Sequence, residues 1–576
     1  MFFEEEEEEI IFEDFEEVEE VDNNEGEDEE TMEIKEIVPE VVSLQYFCLQ
    51  TISDNLERFN AALTTTEDIN FQRHLHYIRR VHTSFFLNNK LREDKGVLKK
   101  KYWNILLNEH MKELHLSKIE FKDWDDFIKK LDEVGHGIEK IHFDLGIAVE
   151  FEKAVVFVKK VLLKLQNIKM LHLYAYCDDT ILESLPSSCA ELEELSVIHS
   201  SITEKGLMSL CQKKNNGDEI HSLNLRVIDL SGITDINDGV SYLLKNMPSL
   251  ELVVYSDLFF VLYGMYKHDV HKASEDKYNL TSFSIPFNLT RNYYPFLHDV
   301  LFILSKCCPH IKTLSVPIHI KSHLESISNL PELEDFSAFD ISPTSDLDLN
   351  WFLEQKGRTL KQLKIQNFEV CAAILVESCP NLEGLTLQHP CFQLLDPNIS
   401  FKQLRNLHKM CIKTISFNDN LMLQSIIKIL NCSPKLEKLK FYNTEFSRDD
   451  EFTTKFTKFC ENSSLHHLEF ISCDHEISLL QTILLTCSSL KTLVLENCFE
   501  IDYNDVEDLY KMSKSLKKKV EIKWKDDRSD FTSIDSYDDM FEYNSEYDFL
   551  YEFDDDQYES VDYYDLYDLD YDSDDV

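Results

Sequence analysis

The chain has 576 residues, 43% of them hydrophobic, and a formal net charge of −49. That apolar fraction is ample for a buried core, and the length suits several globular domains or one long repeat array. Only 12 glycines leave no glycine-rich phosphate loop, and GxxxxGK[ST], GxSxG and HExxH are all missing, so the composition argues against an enzyme.

The charge is concentrated at the two ends. Residues 1–40 hold 21 acids against Lys35, and residues 526–576 hold 21 acids against Arg528, which leaves −9 for residues 41–525. Such tails bury too little apolar surface to offset chain entropy, and both are expected to be disordered. The N-terminus, Met1-Phe2-Phe3 followed by six glutamates, lacks the features of a signal peptide. Fifteen cysteines without a CxxC pair read as reduced thiols, so a cytoplasmic or nuclear location is expected.

After the N-terminal tail comes Ser43-Leu44-Gln-Tyr-Phe-Cys48-Leu-Gln-Thr-Ile52. Leu44, Cys48, Ile52, Leu56 and Phe59 recur every three or four residues, which predicts an amphipathic helix with Ser43 as its N-cap. Residues 41–110 are expected to be helical as a whole. His74, His76 and His82 lie here without a cysteine or carboxylate pattern and read as helix-face residues, and no metal or cofactor is expected.

From Met111 onward one phrase recurs: apolar, two residues, apolar, one residue, apolar. It begins at Met111, Ile138, Ile168, Leu192, Leu225, Leu250, Leu280, Ile311, Leu333, Leu360, Leu382, Leu407, Leu436, Leu465 and Leu490, at an average spacing of about 27 residues. A fixed period of that size predicts a solenoid. The last two apolar positions suit a short strand with both side chains inward. Amphipathic stretches between phrases, such as Thr203–Leu210, Asp238–Leu244, Leu421–Leu430 and Asp505–Met512, are expected as outer helices. Leu258–Tyr278 fits the period poorly and is expected to be an insertion projecting from the array.

Cysteine or proline stands just ahead of several phrases: Cys189-Ala-Glu-Leu192, Cys308-Pro-His-Ile311, Cys379-Pro-Asn-Leu382 and Cys487-Ser-Ser-Leu490. Recurring once per repeat, these thiols read as packing residues rather than ligands of one ion. In these residues, and in turns such as Ser201-Ile202-Thr203-Glu204-Lys205-Gly206-Leu207, residues 111–525 resemble the cysteine-containing leucine-rich-repeat proteins best known from F-box receptors of ubiquitin ligases. The resemblance implies an α/β leucine-rich-repeat solenoid, with parallel strands inside and helices outside.

The Ser43–Ile52 decad also resembles a BC box, and its place ahead of the repeats is similar to the Zyg-eleven/Zer family of substrate receptors. That resemblance implies docking on elongin C by Leu44, Cys48 and Ile52, and recruitment of a cullin. The Leu-Pro pair that opens a cullin box does not occur in residues 53–110. A second match, Thr386–Leu395, has Pro390 at its centre and cannot be a docking helix. The 44–63 stripe equally suits a cap on the open edge of the solenoid, and one stripe can serve both uses. Val38-Pro39-Glu40-Val41-Val42 is a weaker echo of an F-box, which would instead imply a Skp-type adaptor.

The implied function is substrate recognition for a cullin-type ligase. The strand residues between the inward apolar pairs, His172, Ser196, Asp229, Ser315, Lys364, Thr386, Lys440, Glu469 and Val494, are the candidate target contacts. The alternative is a scaffold or chaperone-like binder of basic proteins such as histones, working through the acidic tails. The C-terminal tail interleaves its acids with Phe541, Tyr543, Tyr547, Phe549 and further aromatics, a composition suited to folding on a partner. Basic groups at Lys99–Lys101 and Lys514–Lys525 read as solvated surface. Tails of that charge oppose nucleic acid, and no small molecule or membrane is expected as a partner.

Overall fold

A computed structural model describes residues 51–53, 58, 100–109, 111–117, 121–145, 149–211, 224–285, 290–340, 348–393, 403–413, 415, 420–446, 450–516 and 519–525. Both acidic tails, Leu44 and Cys48 lie outside these residues.

Parallel strands alternate with helices along the described chain, in the manner of a repeat solenoid. Each of the fifteen phrases starts a strand two residues after its first apolar residue. Met111 precedes β1 (Glu113–Ser117), Ile138 precedes β2 (Lys140–Asp144), and so on through β3 (Met170–Leu173), β4 (Glu194–Ser196), β5 (Val227–Asp229) and β6 (Leu252–Val254). The second ladder runs through β7 (Ser282–Ser284), β8 (Thr313–Ile318), β9 (Asp335–Asp340), β10 (Gln362–Gln366), β12 (Gly384–Gln388), β14 (Lys409–Lys413), β15 (Lys438–Tyr442), β16 (His467–Ile471) and β17 (Thr492–Glu496). A further strand, β18 (Glu521–Lys525), closes that ladder, and two-residue β11 (Glu369–Val370) and β13 (Cys391–Phe392) pair separately. The order within each long ladder follows the chain, so every strand pairs with the ones before and after it.

The two ladders part between β6 and β7, yet one hydrogen bond per repeat runs on without a break. The residue after each first apolar residue donates its N–H to its counterpart in the preceding repeat: Glu193 to Lys169, Arg226 to Glu193, Glu251 to Arg226, Thr281 to Glu251 and Lys312 to Thr281, at 2.7–2.8 Å. Side chains on this row alternate in sign. Lys169 sits 3.3 Å from Glu139, Arg226 lies 2.8 Å from Glu251 and 4.0 Å from Glu193, and Lys361 lies 2.7 Å from Glu334. Opposite charges directly across neighbouring strands favour this register over a slipped one.

Eight strands end in the same turn. Ala175, His199, Gly232, Asn367, His389, Asn443, Ser472 and Asn497 have φ between 44° and 71°, and each is the seventh residue after the first apolar one of its phrase. That left-handed conformation turns the chain out of the strand towards the helix layer. The following residue is buried, and where it is Ser or Cys it reaches back to the preceding strand. Ser200 Oγ donates to Leu173 O at 3.1 Å, Cys473 Sγ to Phe441 O at 3.5 Å and Cys498 Sγ to Phe470 O at 3.4 Å. These contacts satisfy carbonyls at the strand ends and tie each turn to its neighbour.

The expected outer helices are present as Glu204–Ser209, Asn237–Asn246, Asn420–Asn431 and Tyr503–Ser515. The last opens on a capping box between Asp502 and Asp505. One expectation fails. Leu258–Tyr266 does not project: it is a helix packed between its neighbours, with Leu258, Phe259, Val261, Leu262 and Tyr266 buried. Its sequence is apolar on every side, which hides the helical period. Tyr266 and Tyr278 hydroxyls meet at 2.7 Å beneath it and hold the following loop down.

Cys189, Cys308, Cys379 and Cys487 are all buried at helix C-termini or just after them. Burial alone pushes the Cys189 and Cys379 thiols up to about 12. Among the described residues, no helix is long and apolar enough to cross a membrane.

Candidate functional site

Strand side chains alternate. In β3 the burial runs from half-buried Met170 and His172 to buried Leu171 and Leu173, and β15, β16 and β17 repeat that pattern. The buried pair faces the helices. The remaining side chains stand on the opposite face of the sheet, where no described helix covers them.

Strand register lines up the third residue of each strand. One row reads His115, His142, His172, Ser196, Asp229 and Val254. The second ladder continues it through Ser284, Ser315, Ser337, Lys364, Thr386, Cys411, Lys440, Glu469, Val494 and Lys523. All nine residues singled out from the sequence as target contacts stand in this row, in strand order. They differ in what they offer. His172, Ser315, Lys364, Thr386, Lys440, Glu469 and Val494 are half-buried with side chains reaching the surface, whereas Ser196 and Asp229 are only 5% and 7% exposed. Asp229 Oδ1 is further engaged by the Ser231 backbone N–H at 3.0 Å and its hydroxyl at 2.6 Å.

Missed by sequence reasoning are His115, His142, Ser337, Cys411 and Lys523, which the same row brings beside the others. For all but Lys523, whose strand follows no apolar phrase, the signal was present in the phrase itself, since each occupies its fifth position. Of the three residues assigned to adaptor docking, only Ile52 is described. It is half-buried and packs against the solenoid core next to fully buried Ser53.

The row has two chemically distinct ends. Towards the C-terminus it is basic and mixed. Lys440 lies 3.4 Å from Glu469, and Lys413 stands over the Tyr442 ring at 5.6 Å. Burial pushes the Glu469 carboxyl up, but its hydrogen bond with His467 and the Lys440 charge outweigh this and hold it below the usual range. Burial also raises the Cys411 thiol, against the pull of Lys413, Lys440 and Lys364 around it.

At the N-terminal end the row is built of imidazoles. The His115 and His142 rings stack at 4.2 Å, 2° from parallel, and His172 meets His142 edge-on at 4.4 Å. Carboxylates sit on both sides: Glu113 Oε1 lies 2.8 Å from His115 Nε2 and 3.7 Å from His142 Nε2, and Glu194 Oε1 lies 3.0 Å from His172 Nε2. Burial, then the neighbouring imidazoles, depresses His142 to about 4 despite Glu113, so its ring is neutral at pH 7. Burial of Glu113 raises its carboxyl, and the His115 hydrogen bond with the charges of His115 and His142 more than reverses that.

No protein-family model matches the chain, and no curated protein matches it by sequence. Among solved structures it is similar to the crystal structure of the Rad7 and Elc1 complex in yeast, at 16% identity over 80% of this chain and 95% of that one, with a TM-score of 0.29. A likeness of that score carries no argument about what the chain does.

Proposed function

We propose that this chain is a non-catalytic recognition subunit of a cullin-type ubiquitin ligase, binding a protein target on its open strand face and an adaptor through residues 43–52. The observation that carries the recognition role is the uncovered row of side chains on successive in-register strands. Repeat arrays that expose such a surface bind extended partners through many small contacts. The adaptor half of the proposal rests on the Ser43–Ile52 decad alone, and elongin C is the partner it implies, with a Skp-type protein as the F-box variant of the same role. Chemistry belongs to a partner enzyme in this reading, and the chain supplies proximity inside the cell.

Co-purification of the full chain with elongin C tests the adaptor. Capture by the wild type and its loss on Leu44→Lys with Cys48→Lys supports docking there. Ile52 is a poor probe, because its contact with the core confounds docking with stability. A wild type that captures neither elongin C nor a Skp-type protein ends the ligase reading. Loss of all partner binding on deleting residues 526–576 transfers the function to the acidic tails and to basic partners.

A further inference from the structure

The imidazole end of the open face has a geometry that a hydrogen bond alone does not require. β1 and β2 are direct parallel neighbours, and register makes His115 and His142 partners. Neighbouring strands lie about 4.8 Å apart, so two imidazoles in register naturally stack. Glu113, two residues before His115, returns to the same face on the same strand. The two rings are almost parallel, and the ligating atoms of Glu113, His115 and His142 all lie within 4.8 Å of one another.

We propose that Glu113, His115 and His142 form a binding site for a divalent transition-metal ion of the zinc class. Zinc takes imidazole nitrogen at about 2.0–2.1 Å and carboxylate oxygen at about 2.0–2.2 Å in tetrahedral sites, which sets ligand atoms roughly 3.3 Å apart. The two distances from Glu113 to the imidazoles, 2.8 and 3.7 Å, bracket that edge, and a tilt of the stacked rings towards each other brings both nitrogens onto one ion. Two neutral imidazoles and one carboxylate are the donor set that suits zinc, copper or nickel rather than calcium or magnesium.

An ion bound there takes the place of the hydrogen bond between His115 Nε2 and Glu113 Oε1. Access is open, because the side chains of Glu113, His115 and His142 are 39%, 42% and 24% exposed. The adjoining His172–Glu194 pair buttresses the His142 ring from its other side. Three protein ligands leave one position for water or for a donor atom of a bound molecule, which is the arrangement of an accessible site and not of a closed structural one. The proposal is independent of the ligase reading.

The test uses the full chain with Co2+ as a spectroscopic stand-in for zinc. Four- or five-coordinate cobalt on nitrogen and oxygen ligands gives a visible band far stronger than that of octahedral cobalt on the tail carboxylates. The expected result is one equivalent of Co2+ developing this band, with Zn2+ abolishing it by displacement. His115→Ala with His142→Ala removes the band. Glu113→Gln weakens binding by about tenfold or more, and His310→Ala, in an exposed two-ligand pair with Glu332, leaves it unchanged. Far-UV circular dichroism and metal-free thermal unfolding of each variant exclude a folding defect. Absence of the band at millimolar Co2+ overturns the proposal. So does a band that survives the double histidine variant.

Discussion

Phe441 offers the sharpest test of the solenoid as a physical object. Its ring is fully buried, stacked on Phe470 of the next strand at 5.4 Å and 12°, and edge-on to Phe446 at 5.1 Å and to Phe456 of the helix Asp450–Asn462 at 5.9 Å. Phe441→Ala removes the contact within one repeat and the contact to the next. Phe→Ala changes in cores cost about 3–5 kcal/mol, and the cost is greatest where the surroundings cannot collapse, as in this cage of rings. In a stack of repeats, stability is the sum of local and nearest-neighbour contributions, so the loss stays near its origin. Hydrogen exchange read by mass spectrometry resolves this. Amides of Lys438–Ile471 should exchange about a thousandfold faster, corresponding to ~4 kcal/mol of lost opening energy. Amides of Lys140–Leu173, many repeats away, should keep their wild-type rates. Equal acceleration in both segments means one cooperative globule, and the reasoning from repeats to a docking face falls with it.

Three further outcomes follow from local structure. His475 is buried against Phe470 at 4.6 Å, and burial depresses it to about 4, below the ~6.5 of an unfolded chain. Its contribution is therefore complete above about pH 6.5 and is lost as pH falls towards 4. At pH 5 the linkage amounts to about 2 kcal/mol, or roughly 30-fold faster exchange in strands β15–β17 than in His475→Leu at the same pH, and equal pH responses would refute it. Gly137 and Gly264 should respond oppositely to alanine. A Cβ at Gly137 would lie 2.3 Å from the Glu109 carbonyl oxygen, so the substitution lowers the melting temperature. At Gly264, inside a helix, nothing lies within 4 Å, and alanine should add about 0.5–1 kcal/mol in urea unfolding. Asn443, with φ of 46°, should tolerate glycine, while Asn443→Val should cost about 1–2 kcal/mol in the same measurement.

Much of the architecture was legible in the leucine phrase. A strand buried on one face must alternate, and an array must repeat the alternation at the length of one turn, so all fifteen strand positions followed from spacing. What escaped had physical reasons. The Leu258–Tyr266 helix is apolar on every side and carries no amphipathic period, and β18 was missed because Lys519 stands where a phrase would place its first apolar residue. The left-handed turn at the eighth position escaped because Ala175, His199 and Ser472 carry no turn signature, and only the winding of the chain demands the conformation there. Ser196 and Asp229 occupy the predicted row yet offer little surface, since row membership is periodic whereas exposure depends on what packs around a side chain.

Period and polarity are local properties of a chain, and they alone determined that these residues wind into parallel strands backed by helices, with two strongly acidic ends. Which side chains become neighbours is another matter. His115, His142 and His172 are separated by 27 and 30 residues, distances over which no sequence pattern reports contact. Backbone hydrogen bonds between successive turns set the register to a single residue, and that register stacks His115 on His142 beside Glu113 and sets His172 edge-on against His142. The coil could be read from one dimension, but the chemistry on its face required the third.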